Sequence, residues 1–123
     1  MRIILLIGTG SFIGGVFRYL ASQFIQNRIS TILPYGTLWV NIIGCFLVGL
    51  IYGISDRGGL NPDWRLFLAT GICGGFTTFS AFSNDTISLM RDGQFIPAFI
   101  YLSTTVFFGL MATLIGIAIP KLI

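Results

Sequence analysis

Asn41 is an amide inside an otherwise apolar run, and it follows Thr37 by one helical turn. On a helix the two would share a face with Gly44 and Val48. Such an amide has two uses. It can hydrogen-bond a neighbouring helix, worth about 0.6 kcal/mol on average in a membrane, or it can aim an N–H at a passing anion. A second anomaly is the stretch Gly71-Ile72-Cys73-Gly74-Gly75-Phe76-Thr77-Thr78-Phe79-Ser80-Ala81-Phe82-Ser83. A glycine pair followed by two β-branched threonines is poor helix material. A helix broken there frees carbonyls, which lipid tolerates only where protein or a cavity covers them, and such breaks are a known device for ion sites. The competing reading is an unbroken helix with a glycine-rich packing face.

Phe79 and Phe82 stand at i and i+3, with Ser80 and Ser83 as a neighbouring hydroxyl stripe. Phenyl edges carry partial positive charge and could face an anion, although two phenylalanines out of 12 can also be plain core. Tyr101 precedes Thr105 by one turn, beside Ser103 and Thr104. These hydroxyls either satisfy their own i−4 carbonyls or line a polar track. Arg18 costs about 2.5–3.5 kcal/mol if held at mid-helix. It either snorkels to the interface or raises the anion concentration at the mouth of a pore, and the two are compatible.

The chemistry that is missing is equally informative. There is no His and no Glu, and the acids are Asp56, Asp63, Asp85 and Asp92. The commonest general bases and metal ligands are therefore gone, and no base accompanies any candidate nucleophile, so the chain is not expected to be an enzyme. Cys45 and Cys73 lie in apolar runs without a CxxC spacing and read as buried free thiols. A net charge of +3 is too thinly spread for a nucleic-acid surface.

The elements that position these residues follow from composition. Of the 123 residues 54% are apolar and 9% charged, against about 25% charged in a soluble domain. So few charges cannot coat a water-soluble fold. Four spans of about 20 residues fit instead, at approximately 3–25, 37–54, 66–88 and 96–119, with the fourth entering at Pro97. Loops are expected at 26–36, 55–65 and 91–96, where Gly, Pro, Asn and Asp gather. The first run could be mistaken for a cleaved signal peptide, but it is long and no convincing small-x-small cleavage site precedes Arg18. The spans must be helices, because four strands cannot close a barrel. The expected architecture is one four-helix transmembrane domain over residues 1–123, packed through pairs such as Gly10/Gly14, Gly49/Gly53 and Gly71/Gly75.

Basic residues set orientation. Arg2, Arg57, Arg65 and Lys121 fall on one side, and Arg28, Arg91 and Arg18 on or toward the other. That near-even split leaves two readings: insertion one way, decided by a single residue, or insertion in both orientations with antiparallel assembly.

Over essentially the whole chain the sequence resembles the Fluc/CrcB family of fluoride channels. Gly14-Gly15-Val16-Phe17-Arg18-Tyr19, Gly36-Thr37-Leu38-Trp39-Val40-Asn41-Ile42-Ile43-Gly44 and Gly71 to Ser83 are similar to its three motifs, the last being the most specific. The resemblance implies a four-helix subunit of the bacterial inner membrane with its third helix broken near the midplane, assembled as an antiparallel dual-topology homodimer with two fluoride pores. It makes Asn41 the pore amide, Phe79 and Phe82 the aromatic pair, and Arg18 a vestibule residue. It assigns the backbone carbonyls of Gly74 and Thr77 to a structural sodium ion on the dimer two-fold. Ser80, Ser83, Thr37, Tyr101 and Thr105 complete the expected anion pathway. Ala81 and Gly109 depart from the pattern, each standing where a hydroxyl residue is expected.

Residues and resemblance together predict a passive channel that exports fluoride and lowers its cytoplasmic concentration. Its partners would be fluoride, a second copy of itself and the lipid bilayer, with no nucleic acid. Amide, hydroxyl and phenyl-edge donors can replace the water of a small anion without a fixed charge that would trap it. One alternative is a small proton-coupled multidrug exporter, which would need an acid inside a span where only Asp85 comes near. Another is a non-transporting membrane assembly subunit.

Overall fold

The computed structural model describes residues 1–28 and 33–122, so the expected 26–36 loop lies partly outside the described residues. Four helical segments are long and apolar enough to cross a membrane: Arg2–Arg28, Tyr35–Asp56, Pro62–Arg91 and Phe95–Leu122. The first two and the last are continuous helices, α1 (Arg2–Arg28), α2 (Tyr35–Asp56) and α6 (Phe95–Leu122). The third is composite: α3 (Pro62–Arg65), a π-helical stretch Leu66–Cys73, α4 (Gly74–Phe76) and, after an interruption, α5 (Phe79–Arg91).

Every helix outruns its expected span, because hydropathy marks the stretch that suits hydrocarbon and not the point where hydrogen bonding stops. The helix ends are set by local chemistry. Asn61 caps the third segment, its side chain accepting from the Asp63 N–H at 2.8 Å with Pro62 at the first helical position. Gly58 and Gly93 take φ of +76° and +78° just beyond α2 and α5, a left-handed turn that glycine adopts without a Cβ penalty. α6 begins at Phe95, two residues before the expected entry at Pro97. Pro97 still lies in the first turn, where its missing N–H has no partner to lose.

Two parallel helix pairs make up the subunit. α1 runs beside the third segment, with Gly10 against Phe67 and Gly71 and Gly14 against Ile72 and Phe76. α2 runs beside α6, with Gly49 against Thr113 and Gly53 against Ile117. Backbone touches backbone in both seams, as small residues permit. A side chain at Gly14 would stand 2.9 Å from the Phe76 nitrogen, and one at Gly116 would stand 2.8 Å from the Leu50 nitrogen. Nothing lies within 4 Å of the equivalent point on Gly8. Gly14→Ala is therefore expected to destabilise the fold by about 1–3 kcal/mol, the usual cost of overpacking, while Gly8→Ala is expected to be neutral or slightly stabilising through helix propensity. Thermal unfolding in detergent, followed by circular dichroism, separates the two.

Polar contacts gather three chain regions at one end of the bundle. Arg2 pairs with Asp63 at 3.5 Å, the Arg65 guanidinium donates to Ser55 Oγ at 3.4 Å, and Arg57 donates to the Pro120 carbonyl. The N-terminus, the 55–65 loop and the end of α6 therefore share a side, as the basic-residue count assumed. A buried cluster of Leu38, Phe82, Leu89, Ala98 and Tyr101 joins α2, α5 and α6. Many large apolar side chains along α1 and α6 stay exposed, among them Phe12, Phe17, Phe99 and Phe107. In water that surface would be untenable; it suits lipid or another apolar helix.

Candidate functional site

The third segment breaks at Thr77 and Thr78, close to the middle of Pro62–Arg91. Thr77 takes φ −87°, ψ 150° and Thr78 φ −148°, ψ 123°, so both are extended. The expected non-helical stretch, Gly74 to Thr78, is corrected at its start: Gly74–Phe76 remain helical, and the Thr77 N–H still donates to Cys73 O at 2.9 Å. Two consecutive β-branched residues, and not the glycines, mark the departure. The glycines serve close approach instead, Gly75 lying against the Ser11 backbone of α1.

α2 holds the break open. The Asn41 amide donates to Thr78 O at 3.2 Å, and its carbonyl accepts from the Thr78 N–H at 3.0 Å. One side chain thereby satisfies both backbone polar groups of an extended residue that has left its helix. One turn-equivalent further along α2, Gly44 leaves the space that the Thr77 methyl fills. α1 contributes Arg18, whose Nε donates to Gly75 O at 3.3 Å. Arg18 is thus half-buried against the break rather than extended toward the helix end.

The restart of the helix is capped locally. Thr78 Oγ1 accepts from the Ala81 N–H at 3.4 Å and lies 2.9 Å from Ser80 Oγ. The two aromatic candidates diverge. Phe79 is 78% exposed and Phe82 6%, with their rings edge-on and centroids 5.7 Å apart. Phe82 packs on the buried Tyr101 ring at 5.2 Å. The Tyr101 hydroxyl donates to Asp85 at 3.4 Å and neighbours Thr37. Ser80 and Ser83 are exposed on α5.

Three threonines in this bundle serve their own backbone. Thr77, Thr86 and Thr113 donate to the i−4 carbonyls of Cys73, Phe82 and Gly109 at 2.9, 2.8 and 3.1 Å. Thr105 departs from that habit, its buried Oγ1 having no hydrogen-bond partner among the described residues. A buried polar atom left unpaired calls for an explanation.

The structure therefore brings Arg18, Asn41, Gly74, Thr77 and Phe79 to the break itself. Thr37, Phe82, Tyr101 and Thr105 line the adjoining α2–α5–α6 seam, and Ser80 and Ser83 face outward. Sequence reasoning missed Thr78 as the peptide that Asn41 clasps and Asp85 as the partner of Tyr101. Nothing in local sequence links residues 37 apart as Asn41 and Thr78 are.

Four spans, one of them broken at mid-length and held by an amide, define a multi-pass helical membrane protein. The chain belongs to the CrcB family: the family model described as "CrcB-like protein, Camphor Resistance (CrcB)" matches residues 5–117. It is 45% identical over 122 residues to the fluoride-specific ion channel FluC of Flavobacterium psychrophilum, covering 98% of each chain. It is 42% identical over 117 residues to that of Phocaeicola vulgatus, covering 95% of this chain and 97% of the relative. Against that of Leptospira interrogans it is 43% identical over 119 residues, covering 96% and 94%.

Proposed function

We propose that the protein is a fluoride-selective passive channel of the bacterial cell membrane that lets fluoride leave the cytoplasm. The observation that carries this reading is near-full-length identity above 40% to fluoride-specific channels. The chain's own geometry agrees with it. The N-terminal end of α5 presents free N–H groups and the positive end of its dipole at the break, which favours an anion. Phe79, Asn41 and the unpaired Thr105 hydroxyl add neutral donors or positive ring edges, suited to passing fluoride without holding it.

In this reading the conducting unit is an antiparallel homodimer whose subunits insert in opposite orientations. The exposed Phe79 ring would find cover against the partner. Phe79→Ile removes a positive ring edge at little packing cost to the isolated subunit. Fluoride efflux is expected to fall about two- to tenfold, the rate equivalent of an aromatic contact of roughly 0.5–1.5 kcal/mol. Phe82→Ile should lose as much flux and also soften the core around Tyr101. Efflux from liposomes, followed with a fluoride electrode, checks both.

A structural sodium ion fits the carbonyls left over at the break. Gly75 O and Thr78 O have donors in Arg18 and Asn41. The N–H groups that would reach Gly74 O and Thr77 O in an unbroken helix, those of Thr78 and Ala81, are instead bound by Asn41 Oδ1 and Thr78 Oγ1. Gly74 and Thr77 thus retain free carbonyl oxygens, the donor type a hard cation prefers, at the negative end of the preceding helical half. These two residues would hold the ion, which would neutralise carbonyls that are otherwise costly in a membrane.

The test of the whole reading is fluoride efflux from liposomes of the purified chain, measured against chloride. Fluoride efflux well above chloride efflux is expected. Absence of any ion flux would instead favour a non-transporting assembly subunit, and dependence on a proton gradient would favour an exporter.

A further inference from the structure

We propose that the groove between the ends of α2 and α6 seats an acyl chain of an anionic phospholipid, whose phosphate is held at the rim by Arg57 and Lys121. The proposal needs only that these helices cross a membrane and is independent of what the chain conducts. The groove is a cavity of about 480 Å³ walled by Leu50, Ile54, Ile119 and Pro120, with Arg57 and Gly59 at its lip. Arg57 is the one charged side chain that lines it. Local structure builds the lip. α2 stops at Asp56, and the N–H groups of Gly58 and Gly59 turn back onto Ser55 O at 2.9 Å and Ile54 O at 3.2 Å, with Gly58 at φ +76°. That turn brings Gly59 against the Ile54 side chain and closes the top of the groove.

Charge and depth select the occupant. Arg57 is exposed and spends one guanidinium N–H on the Pro120 carbonyl, while a guanidinium carries five donors. Lys121 follows Pro120 on the last turn of α6, also exposed. Among the described residues neither cation is paired with a carboxylate. With Arg2 paired to Asp63, the charged side chains left at this end are Arg57, Arg65 and Lys121 against Asp56, a net +2 (three minus one). Two spans end here, so the lip lies at headgroup level, where basic side chains attract anionic lipid. Leu50 to Arg57 covers about 10 Å of helix, most of one leaflet of a hydrocarbon core about 30 Å thick. A soluble phosphate would answer the charge and leave the apolar walls bare. A neutral lipid would cover the walls and leave the charge unanswered. An anionic phospholipid does both.

Native mass spectrometry of the full-length protein, released from detergent containing phosphatidylglycerol or phosphatidylethanolamine, reads the bound lipid directly. Phosphatidylglycerol should be retained about tenfold or more tightly than phosphatidylethanolamine, since each basic side chain at a membrane surface contributes about fivefold. Arg57 also ties α6 to α2, so circular dichroism checks that each variant is folded. Arg57→Gln and Lys121→Gln should each cost about fivefold of that preference, and Arg57→Lys should keep most of it. Ile54→Trp, which fills the groove and leaves every charge in place, should abolish retention. Arg91→Gln, at the opposite end, should change nothing. Equal retention of the two lipids, a preference unchanged in the folded Arg57 and Lys121 variants, or an equal loss in Arg91→Gln would overturn the proposal. So would full retention in Ile54→Trp, which would make the rim a headgroup contact without a chain site. Displacement of the lipid by soluble glycerol phosphate would reassign the rim to a free anion and overturn it as well.

Discussion

Asn41→Asp should abolish fluoride efflux while the protein still purifies as a folded species. The substitution keeps one hydrogen bond and inverts the other. The Thr78 N–H can still donate to a carboxylate oxygen, but Thr78 O, now 3.2 Å from an amide donor, would face a second oxygen. The clasp on the extended peptide becomes half attraction and half repulsion. In addition, a fixed negative charge would stand on the proposed anion route. At about 4 Å and an effective dielectric near 20, like charges repel by about 4 kcal/mol, equivalent to roughly a thousandfold in rate. Asn41→Ala separates the two effects, because it removes the clasp without adding charge, and should lose flux less severely. Fluoride-electrode efflux with size-exclusion chromatography as the folding check distinguishes them. Efflux within about threefold of the native rate for Asn41→Asp would remove Asn41 from the anion route.

Biasing the orientation should be as severe. The end of the bundle holding Arg2, Arg57, Arg65 and Lys121 is opposed by Arg28 and Arg91, with Arg18 engaged at the break. Extra lysines on one side only should commit insertion to one orientation. If each pore needs residues from two oppositely inserted copies, such a variant expressed alone would carry no fluoride. Mixed with a variant biased the other way, it should recover. A fluorescent or enzymatic reporter at the C-terminus tests the premise directly, and a native protein reported on one side of the membrane only would sink it. The physical basis is that a few basic side chains decide orientation by small margins. Here the margin is one or two residues, depending on whether Arg18 counts.

Composition alone determined that this chain lives in a membrane and crosses it four times as helix. A 9% charged content leaves no alternative once every backbone group must be paired inside lipid. The glycine spacings likewise announced close helix packing, which the contacts of Gly10, Gly14, Gly49 and Gly53 bear out. The break was legible as a region of weak helix propensity, and Thr77 and Thr78 do leave the helix within it, but where it starts was not legible. Propensity flagged Gly74 and Gly75, yet glycine tolerates helical torsions, and these two keep them where α1 packs alongside. The π-helical turns over Leu66–Cys73 gave no sequence signal, since the small and apolar residues that compose them serve an α-helix equally well. Only the tertiary structure decided what Asn41 does. Its two bonds join residues 37 apart on different helices, so their existence depends on how α2 lies against the third segment. The same holds for the Thr105 hydroxyl, unpaired among the described residues. A hydroxyl's usual partner is one turn behind it and predictable from sequence; whether it is declined depends on what the neighbouring helix presents, and that is a property of packing alone.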